Sequence, residues 1–140
     1  MAGMRMTWIA GGIVALALAG SVQAQSSVAD LMKHEVNPAA LAFWAAGNDA
    51  PEKETPRAAT ARWRAAADAV ATLKAEGARM QAPPYAISPE WSRFAKLMAE
   101  TAASAEPAIR ARDTEAAFEA GGRLYESCNG CHKAYAPPRS

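Results

Sequence analysis

Apolar residues recur along this chain at steps of three and four, the spacing of one face of an α-helix. The clearest stripe is Trp63, Ala66, Val70, Leu73, Gly77 and Met80. Thr55 is a favourable N-cap ahead of it, Pro56 fits its first turn, and Ala82-Pro83-Pro84 closes it. The next stripe is Trp91, Phe94-Ala95, Met98, Ala102, Ala105 and Ile109, capped by Ser88 with Pro89 just inside. Pro107 should bend its last turns, because proline lacks the N–H and clashes with the preceding turn. Another stripe starts from Asp113 and runs Ala117-Phe118, Gly121, Leu124-Tyr125, Cys128 and His132, stopping near Pro137-Pro138. The earliest segment covers about 28–46, with Val28, Leu31, Met32, Val36, Leu41 and Trp44-Ala45 as its apolar positions. Asn37-Pro38 interrupts it and predicts a kink, or a fresh start with Asn37 as cap. Four amphipathic helices on short connections predict an all-α, antiparallel four-helix bundle.

The first 24 residues follow a different pattern. A basic start at Arg5 precedes an apolar run from Trp8 to Ala19, then small residues through Ala24. This is the organisation of a secretory signal peptide, with cleavage expected after Ala24 and Val22 and Ala24 read by the peptidase. The run is too short to span a bilayer comfortably. The expected division is a leader over 1–24 and one domain over 25–140, periplasmic, with no membrane span after cleavage.

Composition sharpens this picture. Alanine is abundant and β-branched residues are few, which favours helix over strand. The 140-residue chain holds 15 Lys and Arg against 14 Asp and Glu, and removal of Arg5 balances them. No basic block is present, so nucleic acid is not an expected partner. A balanced surface gives little long-range steering, so charge does not identify a partner protein.

The chemistry concentrates in Cys128-Asn129-Gly130-Cys131-His132, the spacing of c-type haem attachment. Two thiols three positions apart on a helix sit on adjacent turns, so both can reach the two vinyl groups of one porphyrin. The next residue then lies under the ring, where its imidazole can bind iron. Cys128 and Cys131 are therefore the expected covalent attachments of one haem c, and His132 the proximal iron ligand. A thioredoxin-like dithiol would need a βαβ context, which the pattern lacks. A structural zinc site needs four ligands, and only His34 remains as a usual nitrogen or sulfur donor. Gly121 and Gly122 lie two to three turns before His132, where a missing side chain would admit either the ring or a neighbouring helix.

Four helices with this motif near the C-terminus resemble the cytochrome c′ family, the class II c-type cytochromes. Tyr135, three residues after His132, matches the family's usual aromatic. Two positions depart from the pattern: Ala136 stands where a basic residue is common, and Val28 where many members carry an arginine. These departures weaken the transfer of the family's nitric-oxide binding. The resemblance implies a distal-face residue on the first helix, at Met32, and paired bundles, hence a homodimer in which the Ala-rich first helix with Trp44 could serve as interface.

The distal residue separates the functional classes. A Met32 thioether on the iron suits electron transfer and raises the reduction potential; the alternative is that Met32 fills core. His34 points about 200° away from Met32 on an ideal helix and reads as solvated. Trp44, Trp63 and Trp91 are candidates to pack on the porphyrin, or core aromatics. Arg62 and Arg64 are candidates to pair with haem propionates, or members of a solvated face. No side-chain constellation suggests an enzyme. The expectation is a monohaem electron carrier; the alternatives are a five-coordinate haem protein binding NO or CO, and a haem subunit of a larger redox complex.

Overall fold

The computed structural model describes residues 27–48 and 50–136, and these are helices and the turns between them. The leader, its cleavage after Ala24 and the stop at Pro137-Pro138 lie outside the described residues. The first rod consists of α1 (Val28–Leu31), a π-helical turn (Met32–Val36) and α2 (Asn37–Gly47). It is followed by α3 (Pro56–Met80), α4 (Pro89–Ser104), α5 (Glu106–Ala111) and α6 (Thr114–Tyr135). Among the described residues no helix is long and apolar enough to cross a membrane.

The three expected caps form. Thr55 Oγ1 accepts the Ala58 N–H at 3.2 Å, Ser88 Oγ that of Trp91 at 3.0 Å, and Asp113 Oδ1 that of Ala116 at 3.0 Å. Each satisfies an orphan donor of a helix start, a contribution of about 1 kcal/mol. A capping box adds a fourth start: Ser27 Oγ accepts the Asp30 N–H, and Asp30 Oδ2 accepts the Ser27 N–H, both at 3.1 Å.

Neighbouring rods run antiparallel, as their paired residues show. Between α3 and the rod formed by α4 and α5, Met80 meets Trp91 and Lys74 meets Glu106. Between α4 and α6, Ser88 meets Tyr135 and Phe94 lies beside Gly130. Between α2 and α6, Trp44 meets Gly121, and Gly47 lies against Ala117 and Phe118. Some of this packing is backbone-close. A Cβ on Gly47 would stand 2.6 Å from Phe118 Cα, and one on Gly77 would stand 2.8 Å from the Ala95 carbonyl oxygen. The core is a continuous cluster in which Phe43, Leu73 and Leu124 are fully buried.

Four details differ from the sequence expectation. Asn37 caps nothing, because Val36 ahead of it is already helical and the Asn37 N–H reaches five residues back to the Met32 carbonyl. The wide turn accommodates Pro38, whose ring would clash with the carbonyl four residues earlier in a regular helix. Pro107 breaks its helix instead of bending it: the Ala105 N–H pairs with the Ala102 carbonyl at 3.1 Å, and α5 begins afresh with Pro107 in its first turn. Phe118 and Tyr125, placed on the inward stripe, are 65% and 59% exposed. The buried stripe of α6 is Ala117, Ala120, Gly121, Leu124 and Ser127, and where its backbone lies this close to α2 no ring fits between them. Leu41 likewise faces outward, at 57% exposure.

Candidate functional site

The site lies at one end of the bundle, where α1, the π-turn, the C-terminus of α3, the N-terminus of α4 and the last turns of α6 meet. Two cavities open there. The first, of about 230 Å³, is bordered by Met32 and Val36 from the first rod, Met80 from α3, Trp91 and Phe94 from α4, and Cys128, Cys131 and His132 from α6. The second, of about 630 Å³, shares Met32, Asn37, Trp91, Cys131 and His132 with the first and adds Val28, Ile87 and Tyr135. Shared walls make them two parts of one apolar recess, within the size range of cofactor sites.

The structure thus brings together all four residues singled out for haem. Cys128 and Cys131 both border the smaller cavity, and Met32, Cys131 and His132 border both. His132 is otherwise exposed, at the solvent side of the recess. Burial pushes the Cys128 thiol above its usual pKa, against the opposing effect of hydrogen bonds from Ser127 and its own backbone. Burial also raises the Cys131 thiol, and Cys128 beside it adds to the rise. Both cysteines are free. Among the described residues no three His, Cys, Asp or Glu side chains are grouped to hold a metal ion by themselves.

The surrounding aromatics are fixed by hydrogen bonds. Trp91 donates from Nε1 to the Met80 carbonyl at 3.0 Å, and Trp44 from Nε1 to the Gly121 carbonyl at 2.9 Å. Both rings border the recess. Trp63 does not; it is buried in the core, with the Arg62 guanidinium 5.2 Å from its ring centre. Gly121 serves helix contact, since a Cβ there would stand 2.9 Å from Trp44 Cδ1, while Gly122 has open space beside it.

Arg62 is committed elsewhere. Its Nε and Nη2 donate to the two carboxylate oxygens of Glu54 at 2.8 and 2.9 Å, and Nη1 lies 3.3 Å from the Ala45 and Ala46 carbonyls. It ties the interhelical turn to the last carbonyls of α2 and does not border the recess. Arg64 is exposed and does not border it either. The cationic side chain at the rim is Lys33. His34 is exposed, in line with the solvated reading.

Three contributors were not evident from sequence. Met80 and Met98, read as core residues, are buried and also border the smaller cavity. Asn37, read as a cap, borders both cavities. Its signal is the run of four-residue steps Val28, Met32, Val36, Ala40 and Trp44, which is too long a period for a regular α-helix.

No family model, curated protein or solved structure matches this chain.

Proposed function

We propose that this chain is an exported monohaem c-type cytochrome, resembling the cytochrome c′ family, that carries electrons. The observation that supports it is the convergence of two thiols, an imidazole and a thioether on one apolar recess. In this reading Cys128 and Cys131 each add their S–H across a vinyl group. An S–C bond forms, the hydrogen passes to the neighbouring carbon, and no oxidant is needed. When bound, the haem supplies a one-electron iron couple.

The chain's own groups then set the properties of that couple. His132 on α6 would hold the iron, and Met32 on the π-turn, which borders the same recess, would be the second side chain available to it; a thioether there would favour the reduced state and raise the potential. Trp91, Phe94 and the aliphatic wall exclude water. Lys33, at the rim, is the cation available to a propionate. Partners are redox proteins that approach the solvent side of the recess near His132. A second copy of the chain is a further partner, and the exposed Leu41, Phe118 and Tyr125 favour that association.

A second reading is binding of a small gas such as NO or CO on five-coordinate iron. The short side chains of Val36, Ala40 and Ala95 around the smaller cavity favour it where Met32 stays off the iron. A haem subunit of a larger redox complex would behave as the first reading does in isolation. The test is acid-acetone extraction of a variant carrying Cys128→Ser and Cys131→Ser, with wild type retaining its haem in the protein fraction. Haem that survived extraction in the variant would sink the proposal. The absorption spectrum of both oxidation states, with and without carbon monoxide, separates the two ligation readings.

A further inference from the structure

Five side chains of the first rod, at steps of four, border the recess: Val28, Met32, Val36, Ala40 and Trp44. A regular α-helix cannot keep such a series on one face. Four residues turn it by about 400°, so each step over-rotates by about 40° and the five would spread over about 160°. The two most buried anchors of the rod have the same difficulty. Leu31 and Phe43, at 2% and 0% exposure, would stand about 120° apart.

The π-turn removes the conflict. One extra residue in a turn sets everything after it back by about 100°. The spread of the five lining residues falls to about 80°, and Leu31 and Phe43 come to within about 20° of each other. The position of the turn follows from the sequence. Pro38 has no N–H, and its ring excludes the carbonyl of His34 from a regular turn. The Asn37 N–H meanwhile pairs with the Met32 carbonyl. Lys33, His34 and Glu35 on the turn are exposed, so carbonyls released there reach water.

We propose that Pro38 is a positioning residue: by imposing the π-turn Met32–Val36 it sets the rotation of α1 against α2 and so keeps Met32 in the recess beside Cys131 and His132. The spectroscopic consequence rests on the haem reading above; the rotation itself does not.

The test is Pro38→Ala in the holoprotein, with a second variant that combines Pro38→Ala with deletion of Glu35. The single variant regains an N–H and loses the ring. Its crystal structure should show the Asn37 N–H paired with the Lys33 carbonyl, α1 turned by about 100° against α2, and Met32 outside the recess. Deleting one residue from a regular helix sets back everything after it by the same angle, so the second variant should return Met32 to the recess without a π-turn. A proline that served only stability would not be rescued by a shorter chain. Where Met32 binds iron, the visible spectrum should move to that of Met32→Ala in the single variant and return in the second. The proposal is overturned if Pro38→Ala keeps the Asn37–Met32 bond, if Met32 stays in the recess of a regularised helix, or if the deletion fails to bring it back. Should the single variant not fold, the double variant alone decides. A wild-type spectrum indifferent to Met32→Ala would remove the sixth-ligand reading, while the crystal structures still test Pro38.

Discussion

The Tyr135 hydroxyl lies 2.9 Å from Ser88 Oγ, joining the last turn of α6 to the N-cap of α4. The bond belongs to a chain. Ser88 Oγ accepts the Trp91 N–H at 3.0 Å, and the Tyr135 hydroxyl donates to Glu90 Oε2 at 3.2 Å. The single phenolic proton goes to Glu90, so the Ser88 hydroxyl donates to Tyr135. The Tyr135 ring also meets Trp91 edge-on, with centroids 5.2 Å apart. This chain fastens the helical turn that carries Cys131 and His132. Tyr135→Phe keeps the ring and loses the two hydroxyl bonds, and should cost about 1 kcal/mol in urea unfolding. Amide exchange should speed up in 132–136 more than elsewhere in α6. An unchanged exchange pattern would show that packing alone holds this turn.

Met32→Ala tests the sixth ligand. If the proposed ligation holds, loss of the thioether should turn six-coordinate low-spin iron high-spin, with ready carbon monoxide binding and a lower reduction potential. Met80 and Met98 border the same cavity and are the controls. Their substitution to leucine should leave the spin state unchanged. A high-spin wild type that takes up carbon monoxide at once would instead favour gas binding.

Glu54 provides a pH test away from the recess. Its hydrogen bonds with Arg62, more than the charge attraction, hold its carboxyl below the usual range, against an opposing effect of burial. A carboxylate depressed in the folded chain adds stability above its unfolded pKa of about 4.3. That contribution disappears as pH falls through the lower folded value. Glu54→Gln should therefore lower Tm at pH 7 and have little effect near pH 2. An equal loss at both pH values would mean that the geometry of Arg62, not the charge of Glu54, carries the effect.

Export is read from mass. Protein recovered from the periplasm should begin at Gln25 and carry the mass of 25–140 plus one haem. A mass matching all 140 residues would indicate an uncleaved anchor. Sedimentation of the same sample at micromolar concentration tests the homodimer, and a lone monomer boundary would remove it.

Much of the architecture is written in local chemistry. Thr55, Ser88 and Asp113 cap helices because a short polar side chain can reach an orphan N–H three residues on, whatever packs around it. The stripe from Trp63 to Met80 is buried as its period requires. Cys128, Cys131 and His132 are identified by spacing within one helix, so the candidate attachment site needed no tertiary information. That these three share a recess with Met32, about a hundred positions away in the chain, did require it.

Sequence alone determined which segments are helical, where most of them start and which residues are candidates for the chemistry, since each depends on neighbours a few positions apart. Tertiary structure decided the rotation of those helices and the commitment of their side chains. Phe118 and Tyr125 sit on an apolar period yet face solvent, because α6 turns Ala117, Ala120, Gly121 and Leu124 to the bundle, and at Phe118 its backbone lies directly against Gly47. Arg62 looks free for a propionate, but it is bound to Glu54 and to the carbonyls ending α2. Pro38 reads locally as a break, yet the rod continues through it. Burial of Leu31 and Phe43 on one side favours a widened turn over a broken helix, and only the packed bundle supplies that burial.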